Sequence, residues 1–135
     1  MKPAEFDSTI EQIIKLARGN SDIDALYLYG SHAKGEAHEA SDIDLAVIFA
    51  NKEENPLQRR LRPEMLALDW VNTLGLTEDQ LSVLDMESSN IPLTMSVLQT
   101  GKLLLNKDIG HEMMVSGKIM SQWELDYQYH YDKFG

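Results

Sequence analysis

The amino-acid sequence predicts an α/β (α+β) chain, a small mixed β-sheet flanked by helices. Three observations predict it. Apolar residues recur at helical spacing near the N-terminus, short apolar runs bounded by Asp, Gly or Asn recur further on, and the two kinds of segment alternate along the chain. Phe6, Ile10, Ile13, Ile14 and Ala17 make the buried stripe of a first helix, with Pro3 near its start and Gly19 as its stop. Glu5 and Asp7 in its first turn and Lys15 and Arg18 in its last complement the helix dipole. Ala25–Tyr29 reads as a buried strand, and the small, polar residues 30–41 as a loop or a short helix and a turn. Ile43–Ala50 is a second strand. Asn55-Pro56 opens a helix, but Pro63 lacks a donor and restricts Arg62. A break is expected there, with the main helix over about residues 63–74 and Gly75 as its stop. Leu81–Met86 is a third strand, Asn90–Thr100 a short helix with Pro92 in its first turn, and Lys102–Leu105 a short fourth strand. Asp108 caps a last helix whose Ile109, Met113, Met120, Trp123, Tyr127 and Phe134 fall near one face. Tyr127–Tyr131 also alternates like a strand, so the end of that helix stays open.

The length of 135 residues fits one domain, residues 1–135, large enough to bury a core without staples. The absence of cysteine excludes disulfides, thiolate metal sites and cysteine nucleophiles. The longest apolar runs fall far short of a membrane helix, and no apolar stretch follows Lys2, so a cytoplasmic location is expected. A net charge of -10 argues against general nucleic-acid binding, which needs Lys and Arg to displace counterions from phosphates. The one basic cluster, Arg59, Arg60 and Arg62, reads as a solvated helix face.

The segment that carries chemistry runs from Gly30-Ser31, at the end of one predicted strand, to Asp42-Ile43-Asp44, at the start of the next. Side chains alternate on a strand, so Asp42 and Asp44 point to one face, with Cα atoms about 6.6 Å apart. Two bare carboxylates at that spacing repel by about 3 kcal/mol at an effective dielectric of 20. Mg²⁺ offsets this, because it takes one or two carboxylates together with substrate phosphates. Gly30 lets the backbone approach a ligand, and Ser31 adds a hydroxyl beside the first free N–H groups of a helical turn. Together these suit a metal-bound nucleoside triphosphate. Four such fixed residues arise by chance in on the order of one chain in several hundred.

Gly30-Ser31, ten residues, then Asp42-x-Asp44 resembles the signature of the DNA polymerase beta-like nucleotidyltransferase superfamily. Within it the chain is similar to the minimal nucleotidyltransferases, and most of all to the MntA-type antitoxins that partner HEPN (HepT) toxins. The resemblance is strongest over Leu26–Phe49, and Leu84-Asp85-Met86 and Thr100–Leu104 fit the family's later strand and helix end. It implies the nucleotidyltransferase fold and transfer of AMP from ATP to a tyrosine hydroxyl of an RNase toxin, which silences it. It also implies a hetero-oligomer with that toxin. Gly30 and Ser31 would grip the triphosphate, and Asp42 and Asp44 would be the catalytic ligands of two Mg²⁺ ions.

One position departs from the pattern. The family carries a third carboxylate on the strand after the middle helix, and an ungapped alignment puts Ser82 there. Asp85 matches the family's second, non-catalytic acid and would need a bulge to reach the same face. Loss of a proton acceptor predicts a chemical step slower by roughly 10²–10⁴-fold. Two alternatives to an active transferase follow. One is a catalytically weak or inactive nucleotide-binding antitoxin that neutralises by complex formation. The other, ranked third, is a nucleotidyltransferase for a small hydroxylated molecule, for whose acceptor site the chain leaves little room. His32 reads as a solvated loop residue before a phosphate contact, and Lys34 equally as a phosphate contact or an exposed lysine. The aromatic tail from Trp123 reads as core, with any exposed part suited to a protein partner.

Overall fold

A computed structural model describes residues 1–38 and 40–128. Helix α1 (Pro3–Arg18) leads to β1 (Ile23–Tyr29), the one-turn helix α2 (Ser31–Lys34) and β2 (Ile43–Phe49). Helix α3 (Pro56–Leu74), a 3-10 turn (Glu78–Gln80), β3 (Leu81–Asp85), α4 (Ile91–Thr100), β4 (Lys102–Asn106) and α5 (Ile109–Trp123) follow, and a π turn (Glu124–Gln128) continues α5. The sheet order is β3-β2-β1-β4. β1 runs antiparallel to β2 and β4, and β2 runs parallel to β3, so the sheet is mixed as expected. Among the described residues no helix is long and apolar enough to cross a membrane.

The strands read as continuous apolar runs because both faces of the sheet are covered. Leu26, Leu28, Leu45 and Val47 pack with Ile13 and Ala17 of α1 and with Trp70 and Val71 of α3. The alternate residues Ala25, Tyr27, Ala46 and Ile48 pack with Val97 of α4 and with Val115 and Ile119 of α5. The end of α1 is held by Lys107, whose Nζ donates to the carbonyls of Ala17 and Asn20 at 3.0 and 2.7 Å. A cation on carbonyls at and just past the last turn of α1 stabilises the negative end of the helix.

Helix α3 corrects the sequence expectation. It starts at Asn55, whose side chain accepts from Gln58 N at 3.0 Å, and passes through Pro63 without a break. Proline costs one hydrogen bond to the preceding turn. Packing on both sides of it offsets the loss: Leu66, Trp70 and Val71 are buried beyond it, and Arg62 is anchored before it. The Arg62 guanidinium lies 3.9 Å from the centre of the Phe49 ring, and its NH1 donates to the Asn51 carbonyl at 2.7 Å. Arg59 donates to the Glu53 and Glu54 carbonyls. The basic trio is therefore not a solvated face. Only Arg60 is exposed, and the other two staple the β2–α3 loop.

Helix α5 is the second correction. Asp108 caps it as expected, accepting from His111 N at 3.0 Å, but its buried ridge is Val115 and Ile119. Ile109, Met113 and Met120 are 67%, 64% and 45% exposed. The helix carries two apolar stripes, and polar contacts choose between them. Tyr27 Oη donates to Glu112 Oε1 at 2.7 Å, and His111 Nδ1 lies 2.7 Å from Asp24 Oδ2. Both contacts turn the 111–115–119 side toward the sheet. Trp123 stacks on Tyr127, while Tyr131 and Phe134 lie outside the described residues.

His111 also meets Glu87 Oε1 through Nε2 at 3.3 Å, so one imidazole joins β1, α5 and the turn after β3. The Asp24 hydrogen bond raises its pKa above the ordinary 6.5; partial burial opposes this, and the charges of Glu87, Asp24 and Asp108 add to it. A group whose folded pKa is raised stabilises fully below its unfolded pKa and loses that contribution as pH rises through the folded one. The urea midpoint is expected to fall as pH climbs from about 6 to 8.5, and His111→Gln to flatten that slope. An unchanged slope in the variant would remove His111 as its source.

Candidate active site

The site forms where β1 ends and β2 begins. Gly30 closes β1 with φ 72° and ψ -154°, a conformation that side chains rarely adopt. A Cβ at Gly30 would overlap the Asp44 carboxylate, so glycine is what lets backbone and carboxylate approach. Ser31 opens α2 directly after it, half-buried. Asp42 lies one residue before β2 and is exposed; Asp44 is the second residue of that strand and partly buried.

Strand register brings further groups to Asp44. It pairs with Tyr29 on β1 and with Ser82 on β3, so Tyr29, Asp44 and Ser82 stand in one row across three strands. Ser82 Oγ donates to Asp44 Oδ1 at 2.7 Å. Burial pushes the Tyr29 phenol above its ordinary pKa of 10.0, the Asp44 charge adds to this, and a hydrogen bond with Ser82 opposes it. Tyr29 is thus a neutral phenol at neutral pH beside the Asp44 carboxylate. Sequence reasoning gave Tyr29 no role; its place in the row follows from β1–β2 register, which no local pattern carries.

Asp85 stands apart. The β2–β3 pairing runs from Ile43↔Leu81 to Val47↔Asp85 without a bulge, so Asp85 faces the opposite side from Ser82. It is buried, Oδ1 accepts from Glu87 N and Oδ2 from Ser88 Oγ, both at 2.9 Å, and Arg62 NH2 lies 3.9 Å away. These contacts shape the turn into α4. His32 is half-buried in α2 rather than in an open loop. It stacks on Phe6 with ring centres 4.1 Å apart, and its Nε2 sits 3.4 Å from the Ser41 carbonyl, tying the loop to α1. Lys34 is exposed.

Strand, glycine-serine turn, short helix and a second strand opening on Asp-x-Asp define a nucleotidyltransferase architecture. The chain belongs to the polymerase beta nucleotidyltransferase family, whose model matches residues 11–110. The protein adenylyltransferase MntA of Shewanella oneidensis is 33% identical to it over 95 residues, 69% of this chain and 62% of that protein. The match therefore spans less than two thirds of that relative. A solved toxin-antitoxin structure with AMP-PNP superposes with a TM-score of 0.70 at 26% identity, covering 91% of this chain and 93% of the other. A complex of a tri-AMPylated Shewanella oneidensis HEPN toxin with its MNT antitoxin gives a TM-score of 0.66 at 22% identity, over 93% and 92% of the two chains, a likeness of fold.

Proposed function

We propose that this chain is a protein adenylyltransferase that neutralises a HEPN toxin by moving AMP from ATP to one of its tyrosine hydroxyls. The observation that carries the reading is Asp44 held between the Gly30 backbone and the Ser82 hydroxyl at the mouth of the strand that Asp42 precedes. The family membership, the adenylyltransferase relative and the AMP-PNP complex of a similar chain support it.

The donors gathered here are all oxygen: the carboxylates of Asp42 and Asp44 and the hydroxyl of Ser82. That chemistry fits Mg²⁺, which Asp42 and Asp44 would hold. Bound there, Mg²⁺ supplies charge neutralisation at the phosphates. Among the described residues no group of three His, Asp or Glu side chains could hold a metal ion. The remaining ligands would come from the triphosphate and water, so the two expected Mg²⁺ ions would bind together with the nucleotide. Gly30 and Ser31 orient the triphosphate. The toxin oxygen forms a bond to the α-phosphorus, the bond from that phosphorus to the β-bridging oxygen breaks, pyrophosphate leaves, and the hydroxyl proton passes to water.

Mass spectrometry of a cognate HEPN toxin after incubation with this chain, ATP and Mg²⁺ is expected to show an AMP-sized increase that disappears without Mg²⁺. No increase, with the Shewanella pair working in parallel, would remove the enzymatic reading. One observation, Ser82 where a third acid is expected, favours a second reading: neutralisation by complex formation alone. That reading requires Asp42→Ala and Asp44→Ala to leave neutralisation intact.

A further inference from the structure

β3 is an edge strand: it pairs with β2 on one side and with no other strand among the described residues. Edge strands present unpaired backbone N–H and C=O groups and are templates for an added strand. Beside this edge, between β3 and α3, runs a groove of about 430 Å³. Its α3 wall carries Leu61, Met65 and Leu68, which are 37%, 61% and 39% exposed. Helix residues at this spacing make one apolar stripe, and here the stripe faces open space rather than core. Ser82 lines the groove at the strand edge and turns its hydroxyl to Asp44 on the other face of the sheet, so groove and site meet at this one edge residue. The charged residues of the groove are both acids, Glu64 and Glu78.

We propose that this groove seats the acceptor: an extended segment of the partner protein that adds to β3, alternates apolar residues, and carries lysine or arginine opposite Glu64 and Glu78. The proposal rests on the adenylyltransferase reading of the site and names its acceptor side. β3 has five residues and so offers about 17 Å of edge, and the side chains of an added strand alternate, which sets apolar ones in the α3 groove and a hydroxyl on the Asp44 face. Charge decides against a second copy of this chain as occupant. Two such edges meeting would set Glu64 and Glu78 against their equivalents, in a chain of net charge -10. A basic segment gains from the same field, and like charges opposed across an interface select against the wrong partner.

The test uses the full chain and a HEPN toxin, with two readouts. Amide hydrogen exchange measures whether toxin protects the β3 amides that face away from β2, and AMP transfer measures the toxin KM. Met65→Lys with Leu68→Lys changes two exposed side chains, so the variant is expected to fold. It should raise the toxin KM at least tenfold, leave the ATP KM unchanged and abolish protection of β3. Protection of β3 without AMP transfer would keep the groove and remove the adenylyltransferase reading. AMP transfer with β3 unprotected, or with an unmoved toxin KM in the variant, would overturn the groove and leave that reading standing. Absence of any complex, or a β3 edge that pairs two copies of this chain, would overturn the groove as well.

Discussion

Asp44→Asn is expected to reduce AMP transfer by about 10³-fold or more while leaving the fold intact. Removing a group that holds a cation against phosphate forfeits several kcal/mol of transition-state stabilisation, and each 1.36 kcal/mol is a factor of ten. The amide is nearly isosteric, and its oxygen still accepts from Ser82 Oγ, which donates to Asp44 Oδ1 at 2.7 Å in the native chain. It also removes a negative charge next to the Tyr29 phenol, so stability without metal should hold or rise. Two measurements check this together. The midpoint shift expected of the native chain with Mg²⁺ and ATP should be absent, and the rate should fall. A variant that keeps both would show that Asp44 lies outside the chemistry.

Ser82→Asp is expected to act in the opposite direction, raising AMP transfer by about 10²-fold, the range of one well-placed proton acceptor or ligand. The register argues for this position and against Asp85, because Ser82 pairs directly with Asp44 while Asp85 is committed to Glu87 N, Ser88 Oγ and Arg62. Without metal the substitution should cost about 1–3 kcal/mol, since the introduced carboxylate would stand one strand spacing from Asp44. Mg²⁺ and ATP together should restore that loss. A faster enzyme that is less stable until loaded would identify the missing acid as what limits the native rate. An unchanged rate would mean that the Ser82–Asp44 hydrogen bond already suffices.

The second reading, neutralisation without chemistry, separates cleanly from these outcomes. It predicts no change in toxin neutralisation for Asp44→Asn, because Asp44 lies outside the α3 groove.

Local signals determined much of this protein from the amino-acid sequence by itself. The stripe from Phe6 to Ala17, the apolar runs closed by Gly30 and opened by Asp42, and the caps at Asn55, Asn90 and Asp108 each act within a few residues. They yield the elements, their order and the Gly30-Ser31 and Asp42-x-Asp44 pair. Only the tertiary structure decided which elements meet and in what phase. Pro63 stays inside α3 because burial of Leu66 and Trp70 outweighs one lost hydrogen bond. Val115 and Ile119, rather than Met113 and Met120, face the sheet because Glu112 and His111 find partners on β1. Ser82 rather than Asp85 reaches Asp44 because β2 and β3 pair in unbroken register, and a two-residue period then sends Ser82 to the site and Asp85 to the far face. Pairing across strands is a contact between distant segments, and the free energy that selects it exists only once the sheet has formed.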